Sequence, residues 1–371
     1  MKRTMHEQFM RQALALAGRG AGRTAPNPPV GAVLVRDGVE VGRGFHPAAG
    51  EPHAEIFALR QAGESARGAD LYVTLEPCCH QGRTGPCTEA LIRAGVHRVF
   101  VGVHDPNPQV AGQGIRRLQA VGIEVVVGLL EKPCHRLIAP FAKHILSGLP
   151  FVTFKAAMTL DGRTATAGGE SQWISCEQSR LQVHRLRNRV DAVMVGAQTV
   201  LDDDPRLTTR LAEGGRDAVR VVVDSRLRTP PQAAVYAQES AAPTLLLTAA
   251  DQPAARLRPY RQHGVEVIGL GRAGEHLDLV AAMHCLGERN LQSILLEGGA
   301  TLAGAMLRSG LIDRVMLYVA PLLFGGSDGR ALFAGAGVQR LAEAFRLSDL
   351  QLSMVGEDLL LEGEVARCSP D

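Results

Sequence analysis

The sequence predicts two α/β domains in tandem, and three observations predict them. Apolar runs of strand length alternate with amphipathic runs of helical length from residue 53 to 127, and again from residue 151 to 319. That is the pattern of sheets covered by helices. A helix-period segment, Glu131 to Leu146, closes the first alternation, with Leu137, Ile138, Phe141 and Ile145 on one stripe, and Gly148-Leu149-Pro150 stops it. Finally, 371 residues are long for one core and comfortable for two. No period links the halves, so residues 1–147 and 148–371 read as different domains and not as a repeat.

The first domain opens with an amphipathic helix over about His6 to Ala17. Pro26-Asn27-Pro28-Pro29 is a turn cluster feeding a strand that runs to Val35, and Val39 to Phe45, broken by Gly38 and Gly42, pairs with it as a hairpin. The hairpin delivers His46 just before the loop that leads to His53. Helix His53–Gln61, strand Ala69–Leu75, helix Thr88–Ala94, strand Arg98–Val103, helix Gly114–Val121 and strand Glu124–Val127 follow. The second domain starts with strand Phe151–Ala157, helix Cys176–Asn188 and strand Ala192–Val195. Strands Ala218–Val223, Thr244–Leu247 and Val265–Ile268 come next, then helix His276–Leu286, strand Ser293–Leu296, helix Thr301–Leu307 and strand Arg314–Val319.

Composition excludes several classes of partner. The net charge is +2, aromatics are 4% and no Lys/Arg run occurs, which argues against a nucleic-acid footprint of basic groove and stacking platform. The seven cysteines, three between 78 and 87 and four dispersed, do not form a disulfide framework, so a reducing cytoplasm is expected. Val315 to Phe324 contains a proline and is too short to span a bilayer, and the N-terminus does not read as a signal peptide.

The chemistry concentrates between His53 and Cys87. His53-Ala54-Glu55 is followed, one strand later, by Pro77-Cys78-Cys79-His80 and then Cys87. An imidazole and two thiolates are three tetrahedral zinc ligands; a catalytic zinc keeps its fourth position open, whereas a structural one closes it with a protein ligand. Cys79 or His80 would serve for such a closed knuckle. A knuckle, however, gives no reason for Glu55 two residues past the histidine at the start of a helix, where a carboxylate is placed to shuttle protons. Adjacent Cys78 and Cys79 would point apart in an extended segment, so one metal would not take both.

H-x-E followed by P-C-x-x-C is the signature of zinc deaminases, with the Glu as general acid/base. Here eight residues, not two, separate Cys78 from Cys87. The run P-C-C-H-Q-G-R-T-G-P-C resembles the deaminase half of the bifunctional riboflavin-biosynthesis deaminase/reductase family, with Gly85 where that family usually has a second proline. The resemblance implies a cytidine-deaminase-like α/β/α sandwich, with Asn27 and His46 near the substrate pyrimidine. Asn27 before a proline is also a common turn former. Asp105-Pro106-Asn107-Pro108 matches the family too, either as a ligand contact or as a rigid loop with an Asx turn.

In the second half, Leu296-Glu297-Gly298-Gly299-Ala300-Thr301-Leu302 is a strand ending in Glu and two glycines before a helix, a turn whose amides suit a phosphate. With Phe154 to Arg163, Ser171-Gln172-Trp173-Ile174-Ser175 and Gly196 to Pro205, it resembles the reductase half of the same family, a dihydrofolate-reductase-like α/β domain. That resemblance implies that Ala157, Trp173, Thr199, Asp203, Ser225 and the run Gly299, Ala300, Thr301, Leu302, Ala303, Gly304, Ala305 line an NADPH site. Ser171, Arg187, Leu207, Arg210 and Glu297 would hold the ribosylaminopyrimidine, the two arginines on its phosphate. Trp173 has the alternative of a core residue, and Arg187 that of a solvated one.

Lys155 at the end of a buried strand is either functional, as the proton donor for reduction, or tied to a carboxylate such as Glu297; Asp203 is the second candidate donor. The combined expectation is an enzyme that takes Zn2+ and NADPH and performs two successive steps of riboflavin synthesis. It would deaminate 2,5-diamino-6-(5-phosphoribosylamino)pyrimidin-4(3H)-one and then reduce the ribosyl group of 5-amino-6-(5-phosphoribosylamino)uracil. Family resemblance also implies a homo-oligomer. The rival is a deaminase of another nucleotide or of a tRNA base, with a C-terminal domain that only binds nucleotide.

Overall fold

The computed structural model describes residues 2–79, 85–108 and 110–366. The chain divides into a unit Met1–Leu149 and a unit Pro150–Asp371. In the first, the elements are α1 (Lys2–Ala17), β1 (Gly31–Arg36), β2 (Val39–Phe45), α2 (Ala54–Ala62), β3 (Asp70–Leu75), α3 (Cys87–Ala94), β4 (Arg98–Val103), α4 (Gln113–Gln119), β5 (Glu124–Val127) and α5 (Glu131–Ser147). The strands form one sheet in the order β2-β1-β3-β4-β5. Pairing is antiparallel on either side of β1 and parallel from β3 to β5.

Two cores flank this sheet, which makes the unit an α/β/α sandwich. Phe9, Met10, Ala13, Cys134 and Ile138 from α1 and α5 pack on Val33, Tyr72 and Phe100. On the other face Ala54, Ala58, Ala62 and Leu91 from α2 and α3 pack on Leu34, Val73 and Val101. The alanine stripe of α2 lets that helix lie very close to the hairpin. Gly42, which the sequence suggests as a break, is inside β2 because the helix backbone passes there: a Cβ on Gly42 would sit 2.3 Å from the Ala58 carbonyl oxygen, and one on Gly44 2.3 Å from that of Ala54.

The second unit holds β6 (Phe151–Thr159), β7 (Arg163–Ala165), α6 (Glu177–Arg187), β8 (Ala192–Gly196), α7 (Ala197–Asp203), β9 (Val219–Val223), β10 (Thr244–Ala249), α8 (Ala254–Gln262) and β11 (Glu266–Leu270). There follow β12 (Arg272–Ala273), β13 (His276–Leu277), α9 (Leu279–Gly287), β14 (Ser293–Glu297), α10 (Ala300–Arg308), β15 (Arg314–Ala320), β16 (Arg330–Ala331), β17 (Arg346–Val355) and β18 (Asp358–Ala366). Nine strands form one sheet, ordered β11-β10-β9-β8-β14-β6-β15-β18-β17. It is parallel from β11 to β15 and antiparallel through the terminal hairpin.

Some elements differ from the sequence expectation. The helix expected over His276–Leu286 begins at Leu279, because Asp278 caps it by accepting the Ala281 amide at 2.9 Å, while His276–Leu277 pairs with Arg272–Ala273. The pattern also gave no signal for α7, α8 or the β17–β18 hairpin. α8 has Pro259 inside it and buries only Tyr260, and β17 is exposed along almost its whole length, so neither carries a clean period.

The close seat of α2 predicts that Gly44→Ala destabilises the first unit by about 1–3 kcal/mol. The expected outcome is a lower unfolding midpoint for that unit by calorimetry, with the transition of the second unit unmoved.

Two candidate active sites

In the first unit, His53 is the N-cap of α2, and Cys78 lies three residues beyond β3, while Cys87 opens α3. Their ligand atoms all lie within 4.8 Å of one another. His53 Nδ1 is 3.5 Å from Cys78 Sγ and 3.4 Å from Cys87 Sγ. A tetrahedral zinc with ordinary bond lengths holds such N and S atoms roughly 3.6 Å apart, so the three side chains fit the metal. Cys79 points elsewhere, its Sγ 3.9 Å from Gln113 Oε1, and His80 lies outside the described residues.

Electrostatics bind the three ligands and Glu55 together. The Cys78 thiol is lowered to about 4, first by the hydrogen bond from the Cys87 thiol and then by His53 and the Cys87 amide, against the opposing effect of burial. Cys87 is pushed up, chiefly by that same bond and by burial. The hydrogen bond to Cys78 raises His53. Glu55, in the first turn of α2, is 2% exposed, and one carboxylate oxygen, Oε2, has no hydrogen-bond partner among the described residues. Burial, then the Cys78 charge, lifts its carboxyl to about 7, the range in which a group both takes and gives protons at neutral pH.

His46 is buried and both its ring nitrogens are used. Nδ1 faces the Pro52 carbonyl at 3.1 Å and so carries the proton, which leaves Nε2 to accept from Asn27 Nδ2 at 3.2 Å. Burial pushes its pKa down, consistent with a neutral ring. His46 thus holds Asn27 in place. The Asp105–Pro108 loop contains the Asx turn, with the Asn107 amide 2.8 Å from Asp105 Oδ1. Its organiser, which sequence reasoning missed, is Glu76. That buried carboxylate accepts from the amides of Asp105, Gly112, Gly114 and Ile115 at 2.9–3.2 Å. The signal was available as a glutamate ending the apolar run before Pro77-Cys78.

In the second unit a cavity of about 760 Å³ opens at the C-terminal ends of β6, β8 and β14, where parallel sheets gather ligands. Ser171, Arg187, Leu207, Arg210 and Glu297 line it, as do Ala157, Trp173, Thr199, Asp203, Gly299, Ala300 and Thr301. Trp173 is 66% exposed and stacks under the Arg180 guanidinium, so it is no core residue. Gly298 and Gly299 both have positive φ, 69° and 76°, which the turn from β14 into α10 requires. Ser225 does not line the cavity; it follows β9, and its carbonyl accepts from Gln252. Leu302, Ala303, Gly304 and Ala305 form the body of α10, outside the lining. Arg206, Arg330, Gln172 and His184 line it without having been singled out from sequence.

Arg187 differs from the expectation. Its Nε and Nη2 donate to Glu297 Oε1 and Oε2 at 2.7 and 2.8 Å, and its Nη1 to the Thr208 carbonyl at 3.1 Å. The fork that would grip a phosphate is already engaged, and the side chain, 12% exposed, is not solvated. Burial alone would raise the Glu297 carboxyl, but Arg187 outweighs it and holds it below the ordinary range. Lys155 is left untied: its ammonium makes no ion pair or hydrogen bond with the described residues, and burial lowers its pKa.

Each half of the chain matches known proteins. Residues 3–103 match the cytidine and deoxycytidylate deaminase zinc-binding region, and residues 150–361 the RibD C-terminal domain. The chain is 44% identical to the riboflavin biosynthesis protein RibD of Escherichia coli, over 96% of this chain and 98% of that one. It is 40% identical to that of Aquifex aeolicus, over 97% and 99%. Among solved structures, RibD of Acinetobacter baumannii superposes with a TM-score of 0.83 at 39% identity, covering 98% of this chain and all of that one. A diaminohydroxyphosphoribosylaminopyrimidine deaminase/5-amino-6-(5-phosphoribosylamino)uracil reductase of Thermotoga maritima gives 0.83 at 36% identity, covering 99% and 100%.

Truncating Arg187 to Ala leaves a buried carboxylate unpaired and is expected to cost the second unit about 3–5 kcal/mol in chemical denaturation. Because the folded pKa of Glu297 is depressed, the pair stabilises above the unfolded carboxyl value of about 4.3 and loses that contribution as pH falls through the folded value. The stability gap between the wild type and Glu297→Gln should close on that acid side.

Proposed function

The chain belongs to the RibD family of bifunctional riboflavin-biosynthesis enzymes, a zinc-dependent deaminase joined to an NADPH-dependent reductase, and on that premise we propose which residues carry each step. Residues 1–147 deaminate the diaminopyrimidinone ribosyl phosphate, and residues 148–371 reduce the ribosyl chain of the product.

For deamination, His53, Cys78 and Cys87 hold the zinc, which when bound supplies a Lewis acid and brings the pKa of water down towards 7. Glu55 does the proton work. Its free Oε2 takes the proton from the attacking water and returns it to the leaving ammonia. Asn27, oriented by His46, contacts the pyrimidine through the side-chain atoms that His46 does not use. The observation that carries this reading is the partnerless buried oxygen of Glu55 beside three converging ligands.

For reduction, NADPH supplies the hydride, and the protein must hold the sugar carbon and provide a proton. Thr199, Asp203, Trp173, Ala157 and the turn from Gly299 to Thr301 border the cofactor's part of the cavity. Ser171, Leu207 and Glu297 border the substrate's part. Arg210 takes the phosphate; its Nη1 makes only a 3.4 Å bond to Thr208 Oγ1, whereas Arg187 serves to hold Glu297. Lys155 donates the proton that the nitrogen takes up as hydride adds to C1′ of the ring-opened C1′=N imine, since the carboxylate that would have tied it is occupied by Arg187. Asp203, whose pKa is raised by burial, is the second candidate.

The six described cysteines are all free, which supports a reducing cytoplasmic setting. No helix among the described residues is long and apolar enough to cross a membrane. The exposed Leu350, Leu352 and Met354 on β17 support a homo-oligomer, to be read by sedimentation of the purified protein. Near-neutral charge keeps the nucleic-acid alternative unfavoured.

Glu55→Gln is expected to lower ammonia release by about two to four orders of magnitude with zinc retained in metal analysis. Lys155→Met should remove NADPH oxidation on the deaminated substrate while ammonia release is kept. Wild-type reduction should decline as pH rises through a lysine pKa below the ordinary value of about 10.4, because the acid must be protonated. Normal reduction by Lys155→Met would move the donor role to Asp203.

A further inference from the structure

Lys155 is a cation in a half-buried place without a carboxylate of its own, and something must seat it. Register identifies the neighbour. Lys155 on β6 stands beside Glu297 on β14 and beside Met316 on β15, and Ala157 stands beside Tyr318. Side chains alternate along a strand, so Glu297, Lys155, Met316 and Tyr318 share one sheet face, the face on which Val183 and Leu186 of α6 pack. Glu297 is engaged by Arg187 from that helix. On the other side the Lys155 ammonium lies 5.6 Å from the centre of the Tyr318 ring, inside the range of about 6 Å over which a ring quadrupole attracts a cation. Tyr318 is 0% exposed, and its hydroxyl has no hydrogen-bond partner among the described residues, so packing holds the ring.

We propose that the aromatic face of Tyr318 seats the Lys155 ammonium in the reductase cavity, which makes Tyr318 a positioning residue for the reductive step. The choice of neighbour has chemical sense. A carboxylate partner would accept the N–H bonds and stabilise the charged form, leaving a weak acid. An aromatic face attracts the cation without accepting its proton in a strong hydrogen bond, so the N–H groups stay available to the substrate. The charged and titratable groups around Lys155 are Glu297 from β14, Tyr318 from β15, and Arg187 and His184 from α6, with Asp203 also in the cavity lining. Of the charges acting directly on Lys155, Glu297 favours the ammonium and Arg187 opposes it.

The inference rests on the reading of Lys155 as proton donor, and the test separates the two. In the full chain, Tyr318→Phe, Tyr318→Leu and a pentafluorophenylalanine at 318 would be compared for NADPH oxidation, kcat and KM apart, across pH, with ammonia release as the check on folding. The Phe protein should keep kcat within about twofold. The Leu protein should lose about 2- to 30-fold in kcat, the range of a cation–ring contact, with KM for NADPH unchanged and the alkaline limb of the pH profile displaced. If the Leu protein fails to fold, the fluorinated ring, which keeps the shape and removes the quadrupole, should show the same loss. An unchanged kcat and pH profile in the Leu or fluorinated protein would overturn the role of the ring, and so would a Phe protein as impaired as Leu. If Lys155→Met reduces normally, the donor reading itself falls; if Lys155→Met is inactive while the ring variants are silent, only the role of Tyr318 does.

Discussion

Charge brought into the ends of parallel strands is the constraint on which both sites depend. Glu55, Glu76 and Glu297 are all buried, and each carboxylate meets the cost of leaving water differently. Glu76 does so with four backbone amides, those of Asp105, Gly112, Gly114 and Ile115, which it ties together. Glu297 does so with a bidentate arginine from α6. Glu55 keeps one oxygen without a partner, and it is the carboxylate placed against the zinc ligands. Paired charges build these domains; unpaired ones are available for chemistry.

The same distinction sorts the basic residues of the second domain. Arg187 and Lys155 both approach Glu297, but the planar fork of arginine matches a carboxylate and the ammonium does not. The pair Arg187–Glu297 therefore forms, and Lys155 is left facing the cavity and the Tyr318 ring. One geometric preference thus decides which basic group pairs with Glu297 and which does not.

Placement of these groups relies on close backbone approaches. The two glycines of β2 admit α2, whose first turn bears Glu55 beside the His53 cap. Gly298 and Gly299 turn the chain directly from Glu297 into α10, so that a buried ion pair and the N-terminal residues of a helix border one cavity. Small residues here do the positioning that larger ones would obstruct.

By itself the sequence determined the α/β class of both domains and picked out the three candidate zinc ligands, because these depend on period and spacing, which are local. His53, Glu55, Cys78 and Cys87 were legible since two short motifs bracket a single strand. The exposed β17 was not legible, for want of a hydrophobic face to give it a period. Nor was the role of Glu76, or the difference between His46 and Asn27, whose meaning lies in which atoms their partners leave free. The pairing of Arg187 with Glu297 was not legible because a sequence shows residue types, not which of two basic side chains reaches a carboxylate first. Only the tertiary structure decided that competition. It brings together atoms 110 residues apart, and a hydrogen bond made with one partner is no longer available to another.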